Sequence, residues 1–122
     1  MLPKINRLKK NKDFEQVLKR GQFFRQDFLT LKILPNKLKN NRFGFIVSSK
    51  VSKKAVLRNK IKRRLRALIL SQLNELNKIP VLADIVIIAK PGAERKSFQE
   101  FQQAVDKIFK KTICYISHYL IF

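Results

Sequence analysis

The residues best suited to chemistry in this chain are cations, and they are concentrated. Ala55-Val56-Leu57-Arg58-Asn59-Lys60-Ile61-Lys62-Arg63-Arg64-Leu65-Arg66 holds six Lys or Arg in twelve positions. Its apolar residues recur at helical spacing, which predicts an amphipathic helix with a cationic face. At about 100° per residue, Arg58, Asn59, Lys62, Arg63 and Arg66 fall in one arc beside the apolar stripe, and Lys60 and Arg64 lie on the other flank. Lys50, Lys53 and Lys54 come just before, near an amino end whose free N–H groups also favour anions. Such an array attracts phosphates. An ordinary solvated face would place Glu four residues from Lys or Arg, yet no acid stands between Asp27 and Glu75. A basic helix can instead rest on an anionic membrane, but here the apolar stripe is needed to cover a sheet.

Groups for protein-borne catalysis are missing from the pattern. Asp13, Glu15, Asp27, Glu75, Asp84, Glu94, Glu100 and Asp106 show no paired metal-ligand spacing, and the single His is His118. Cys114 and His118 stand four apart, too few for a metal site without distant ligands; a packed thiol and a surface imidazole are the plainer expectation. No catalytic and no metal-binding residue is predicted.

The whole chain points the same way. It carries 28 Lys or Arg against 8 Asp or Glu, a net charge of +20 over 122 residues. Self-repulsion on that scale is relieved by a polyanionic partner. A 45% hydrophobic content supports a real core, so this is no disordered basic tail. One cysteine makes no internal disulfide and suits a reducing compartment. Residues 1–7 lack the apolar run of a signal peptide, and no stretch approaches the roughly 20 apolar residues of a membrane span. A cytoplasmic protein without membrane contact is the expectation.

Nothing divides the chain, so residues 1–122 are expected to form one domain that binds a polyanion, with a basic amino-terminal segment (1–12) and an apolar tail (113–122). Asn11 or Asp13 can cap a first helix bearing Phe14, Val17 and Leu18, with Gly21 as its stop. From Phe23 to Leu34 the pattern alternates, Phe28, Thr30 and Lys32 against Leu29, Leu31 and Ile33, and predicts one strand ended by Pro35-Asn36. Arg42 to Val47 predicts a second. Leu57 to Leu76 is a long helix closed by Asn77 and Pro80, and Ala83–Ala89 an inner strand covered on both faces. Ser97 and Glu100 have capping-box spacing at the start of a last helix. The order α-β-β-α-β-α predicts an α+β fold, a mixed sheet with helices, and a parallel βαβ crossover between Phe43 and Ala89.

Ser49-Lys50, Ala55-Val56, Arg58-Asn59, Lys62-Arg63 and Arg66 together resemble the signature of the protein subunit of bacterial ribonuclease P. The likeness extends to Arg7-Leu8-Lys9-Lys10, Asp13-Phe14, Gly44 and Asp84-Ile85-Val86-Ile87-Ile88-Ala89 with Lys90-Pro91, and so covers most of the chain. Two departures stand out: Val51 follows Lys50, and Lys53-Lys54 rather than Gly-Asn precede Ala55.

The resemblance implies a single RNA-binding domain built as a ribosomal-protein-like α/β sandwich on a mixed sheet of about four strands, whose crossover is left-handed, against the roughly 98% right-handed rule. It implies that a catalytic RNA with Mg2+, held mainly by that RNA, removes the 5′ leader of precursor tRNA while the protein binds both RNAs, with no obligate protein partner. Lys50, Lys53, Lys54, Arg58, Asn59, Lys62, Arg63 and Arg66 would then meet the RNA subunit, chiefly at phosphate and sugar; Asn59 is equally placed to brace local backbone. Phe14, Leu18, Leu31 and Lys90 would meet the leader in a cleft between the sheet and the first helix, although the first three also fit plain core packing. The alternative is a ribosomal or other structural RNA-binding protein without a part in catalysis.

Overall fold

The computed structural model describes residues 3–73 and 82–119. After a 3-10 turn at Lys4–Asn6 come α1 (Asn11–Arg20), β1 (Gln22–Gln26), β2 (Leu29–Pro35), β3 (Arg42–Val47), α2 (Ala55–Ser71), β4 (Ala83–Ala89) and α3 (Phe98–Tyr119). Four strands form one mixed sheet in the order β1-β2-β4-β3, antiparallel except for β3 beside β4. The α+β expectation holds, with one correction to the order. The expected single strand from Phe23 to Leu34 is a hairpin whose register pairs Gln26 with Leu29. Asp27 makes the turn with φ of 55°, the left-handed conformation that Gly usually supplies. Asp tolerates that conformation better than most residues.

The sheet is covered on both faces. Its larger core joins Leu29, Leu31, Ile33, Phe43, Ile85 and Ile87 to Ile61, Leu65 and Ile69 of α2 and to Phe101, Val105 and Ile108 of α3. On the opposite face a smaller cluster sets Leu8, Phe14, Val17 and Leu18 against Val86 and Ile88. β4, β-branched from Ile85 to Ile88, lies inside the sheet between these layers, as its composition predicts.

Handedness of the crossover follows from chirality. The Lys90 N–H donates to the Phe28 carbonyl at 2.8 Å, so even-numbered residues of β4 direct their backbone polar groups toward β2. Odd-numbered residues therefore direct theirs toward β3, and these are Ile85 and Ile87, whose side chains face α2 and α3. For an L-residue on an upward strand with its side chain toward the viewer, N–H and C=O point right. Seen from α2, β3 thus stands to the right of β4, and the path from β3 through α2 to β4 moves left. The crossover is left-handed.

Two glycines mark close approaches. A Cβ on Gly44 would collide with the Phe14 ring, so α1 rests directly on β3 there. Gly21 does end α1, though at φ of −70° rather than in the left-handed form; a Cβ would press on the Val17 and Ile33 carbonyls. Neither Asn11 nor Asp13 caps α1, whose N-cap is Lys10 without a side-chain bond. The amino-terminal segment is docked, since Leu8 is buried and its N–H donates to the Phe43 carbonyl. At α3 the predicted capping box is present: the Glu100 N–H donates to Ser97 Oγ and the Ser97 N–H to Glu100 Oε1. The tail lengthens α3 to Tyr119 and sets Ile116 into the core. α2 closes at Ser71 with Gln72 as its C-cap, short of the end expected near Leu76; Leu76, Asn77 and Pro80 themselves lie outside the described residues.

Candidate nucleic-acid interface

α2 is amphipathic in the way its spacing requires. Ile61, Leu65, Leu68 and Ile69 are buried, Leu57 is exposed at the first turn, and the arc from Arg58 to Arg66 faces outward. Arg58 to Arg66 rise about 12 Å along the axis, so with the lysines before the helix they span several phosphates. No acid lies in the first turn. Among the described residues Arg42 pairs with Asp13 and Asp84, and Lys96 with Glu100. Lys50, Lys53, Lys54, Arg58, Lys62, Arg63 and Arg66 pair with no described carboxylate.

The arc is nonetheless shaped. Arg58 Nη1 donates to the Ser52 carbonyl at 2.8 Å, tying the helix to the preceding loop. Val51 is buried in the main core and anchors that loop, which gives the departure at this position a physical role. Arg66 lies over the Phe45 ring at 5.8 Å. The bracing role open to Asn59 belongs to Arg58 instead, for Asn59 is exposed and its side chain makes no hydrogen bond to the described residues. On the other flank, Arg64 is held by the Lys96 carbonyl and the Phe101 ring.

The second surface is the face of the sheet that α1 leaves open. Its groove, about 290 Å³ in volume, is lined by Phe23, Arg25, Thr30, Lys32, Ile88 and Lys90. Register accounts for the set: Phe23 pairs with Lys32, Arg25 with Thr30, and Thr30 with Ile88, so all point to one face. Arg25 lies over the half-exposed Phe23 ring at 5.4 Å. Phe14 and Leu18 border this face on α1 and are partly buried, so each both packs and presents an edge.

Leu31 needs correction as a leader contact. It is 0% exposed and belongs to the core beneath α2 and α3, on the wrong face for the cleft. Its neighbours Thr30 and Lys32 take that place. Phe23 and Arg25 were missed because the hairpin was missed; once β1 is folded onto β2, their alternation identifies them. Cys114 is exposed rather than packed.

Arg42 ties α1 to the sheet. Nε and Nη2 donate to Asp84 at 2.8 and 2.6 Å, and Nη1 reaches Asp13 of α1 at 3.3 Å. The hydrogen bond to Asp84, with lesser help from Asp13, holds the guanidinium above its ordinary pKa. At the other end of α1, Lys32 Nζ donates to the Leu18 carbonyl at 2.8 Å, a cation placed where a helix end favours one.

A small α+β domain with a phosphate-seeking helix on one layer and an aromatic, cationic groove on the other is an RNA-binding protein. Comparison with known proteins specifies which. The family model described as Ribonuclease P matches residues 2–113. The ribonuclease P protein component of Alkaliphilus metalliredigens is 37% identical over 106 residues, covering 87% of this chain and 92% of that protein. Among solved structures, the Staphylococcus aureus RNase P protein superposes with a TM-score of 0.76 at 30% identity, over 88% of this chain and 94% of that one. The Thermotoga maritima RNase P protein gives 0.75 at 26%, over 86% and 96%. The chain belongs to the ribonuclease P protein family. It is thereby an RNA-binding protein of tRNA processing, and a purely structural RNA-binding role is not favoured.

Proposed function

We propose that this protein docks onto the catalytic RNA of ribonuclease P through the α2 arc and holds the 5′ leader of precursor tRNA in the groove beside α1. The observation that carries the reading is the arc itself, for its cations have no described carboxylate to satisfy them. Phosphate and sugar contacts from Lys50, Lys53, Lys54, Arg58, Asn59, Lys62, Arg63 and Arg66 supply affinity and position. Phe14, Leu18, Phe23 and Lys90 meet unpaired leader nucleotides, where stacking tolerates any base.

Hydrolysis belongs to the RNA and its Mg2+ ions in this account. Among the described residues no three His, Cys, Asp or Glu side chains gather as ligands. Its own part is to bind, orient and neutralise, in the cytoplasm and without an obligate protein partner. No described helix is long and apolar enough to cross a membrane.

Reconstitution tests the proposal. Added to a bacterial ribonuclease P RNA at magnesium too low for the RNA alone, the protein is expected to restore cleavage at the 5′ end of the mature tRNA. RNA binding without stimulation would contradict the proposal and return the structural role to favour.

A further inference from the structure

Lys32 lines the groove, yet its ammonium is engaged by the helix beside it. In the sheet register Lys32 stands between Phe23 of β1 and Val86 of β4. Val86 is buried beneath α1 and Phe23 is half-exposed, so Lys32 marks the line where the cover of α1 ends and the open groove begins. Its Nζ donates at 2.8 Å to the Leu18 carbonyl. That carbonyl is among the last four of α1, which a helix leaves without an amide partner of its own. Leu18 also borders the groove with its side chain. The bond therefore fixes this wall at the very residue that forms it. At the opposite end of α1, Arg42 holds Asp13. The two ties stand about 7.5 Å apart along the helix axis, and apolar contacts of Phe14 and Val17 lie between them.

We propose that Lys32 is a positioning residue for leader binding: through its bond to the Leu18 carbonyl it sets how far α1 stands from the opposite wall at Phe23 and Arg25, and it does not itself grip a leader phosphate. The proposal rests on the reading of the groove as the leader site. An ammonium is compact and strongly hydrated on a flexible stem, so a lysine serving a phosphate would reach into solvent. Lys32 is half-buried and meets the negative end of a helix dipole instead. Arg25 and Lys90, which line the same groove, pair with no described carboxylate and carry the charge for phosphates. The groove thus divides its cations by task.

Lys32→Met tests this, because it keeps the long apolar stem and removes the donor. Affinity of the reconstituted enzyme for precursor tRNA relative to mature tRNA would be measured across salt, with affinity for the catalytic RNA as the check on the fold. Leader-dependent affinity is expected to fall roughly three- to tenfold, the worth of one modest hydrogen bond. The slope of its logarithm against log salt is expected to stay as in the unaltered protein, since no phosphate contact is lost. A slope shallower by about 0.7, the single-strand value for one phosphate, overturns the proposal and makes Lys32 a direct contact. Unchanged leader-dependent affinity also overturns it, even beside a lowered melting temperature, for the bond would then serve stability alone. Should Lys32→Met fail to fold, Lys32→Gln, whose amide nitrogen falls one bond short of the ammonium position, is read in the same way. Arg25→Ala and Lys90→Ala test the underlying reading separately. Each should lower leader-dependent affinity and make the slope shallower by about 0.7, and if neither does, the groove is not the leader site.

Discussion

Arg42 shows how a single side chain sets the geometry of the groove. Its guanidinium bridges Asp84 in the sheet and Asp13 in α1, and Asn36 Nδ2 donates at 2.8 Å to Asp84 Oδ1, the oxygen that also accepts from Arg42 Nε. Arg42→Ala leaves that carboxylate, 9% exposed, without its cation. We expect a loss of about 2–4 kcal/mol in urea unfolding, at the lower end for a buried pair because Arg42 reaches solvent. Asp13→Asn keeps the Asp84 pair and should cost below about 1 kcal/mol. Because the Arg42 pKa is raised, the guanidinium stays charged throughout the pH range below its ordinary value, so stability should not fall through Arg42 between neutral pH and the onset of general alkaline unfolding. At this scale the sequence was legible in part. The opposition of Thr30 and Lys32 to Leu29, Leu31 and Ile33 is plain in the residue order, but which set faces α1 depends on the packing of distant elements. A one-residue step in a strand reverses the face, and Leu31 was therefore assigned to the wrong side.

Elements carry their own conflicts. α2 begins with cations where a helix dipole prefers acids. Binding a polyanion relieves that repulsion, so adding the cognate RNA should raise the melting temperature, as any ligand selective for the folded state does. α1 depends on close contact, and Gly44→Ala should push Phe14 off the sheet. We expect it to cost about 1–3 kcal/mol and to weaken leader binding while leaving affinity for the catalytic RNA unchanged. At α3, the backbone hydrogen bond from Ser97 holds the Glu100 carboxyl below its ordinary pKa, with Lys96 contributing less. The stability from this ionised cap is present above the ordinary carboxylate range and is lost as pH falls through the lowered value. Glu100→Gln, which retains the cap geometry, should flatten the acid side of a melting-temperature profile below about pH 4.3. Helices, the inner strand and the capping box were legible because periodicity and composition are local. The β1–β2 hairpin was not, because Asp27 turns the chain without the Gly or Pro that marks such a site.

Across the whole molecule, charge and layering divide the labour. One face of the sheet is closed by α2 and α3, and α2 turns its cations away from that core; the other face is half covered by α1 and leaves the groove open. The left-handed crossover belongs to this scale and lies beyond residue pattern, since it is defined by where three elements sit relative to one another. It was expected only through the family resemblance. A net charge of +20 should make RNA affinity strongly dependent on salt: six to ten phosphate contacts correspond to a loss of roughly 10³ to 10⁵ between 50 and 200 mM. That dependence also offers the most direct test of the α2 arc as the RNA-gripping surface. Affinity for ribonuclease P RNA would be measured against salt for the unaltered protein and for Arg58→Ala, Lys62→Ala and Arg66→Ala combined. The slope of log affinity against log salt should become shallower by about 3, roughly one for each lost phosphate contact, with the fold retained. An unchanged slope and affinity in the folded triple variant would contradict it.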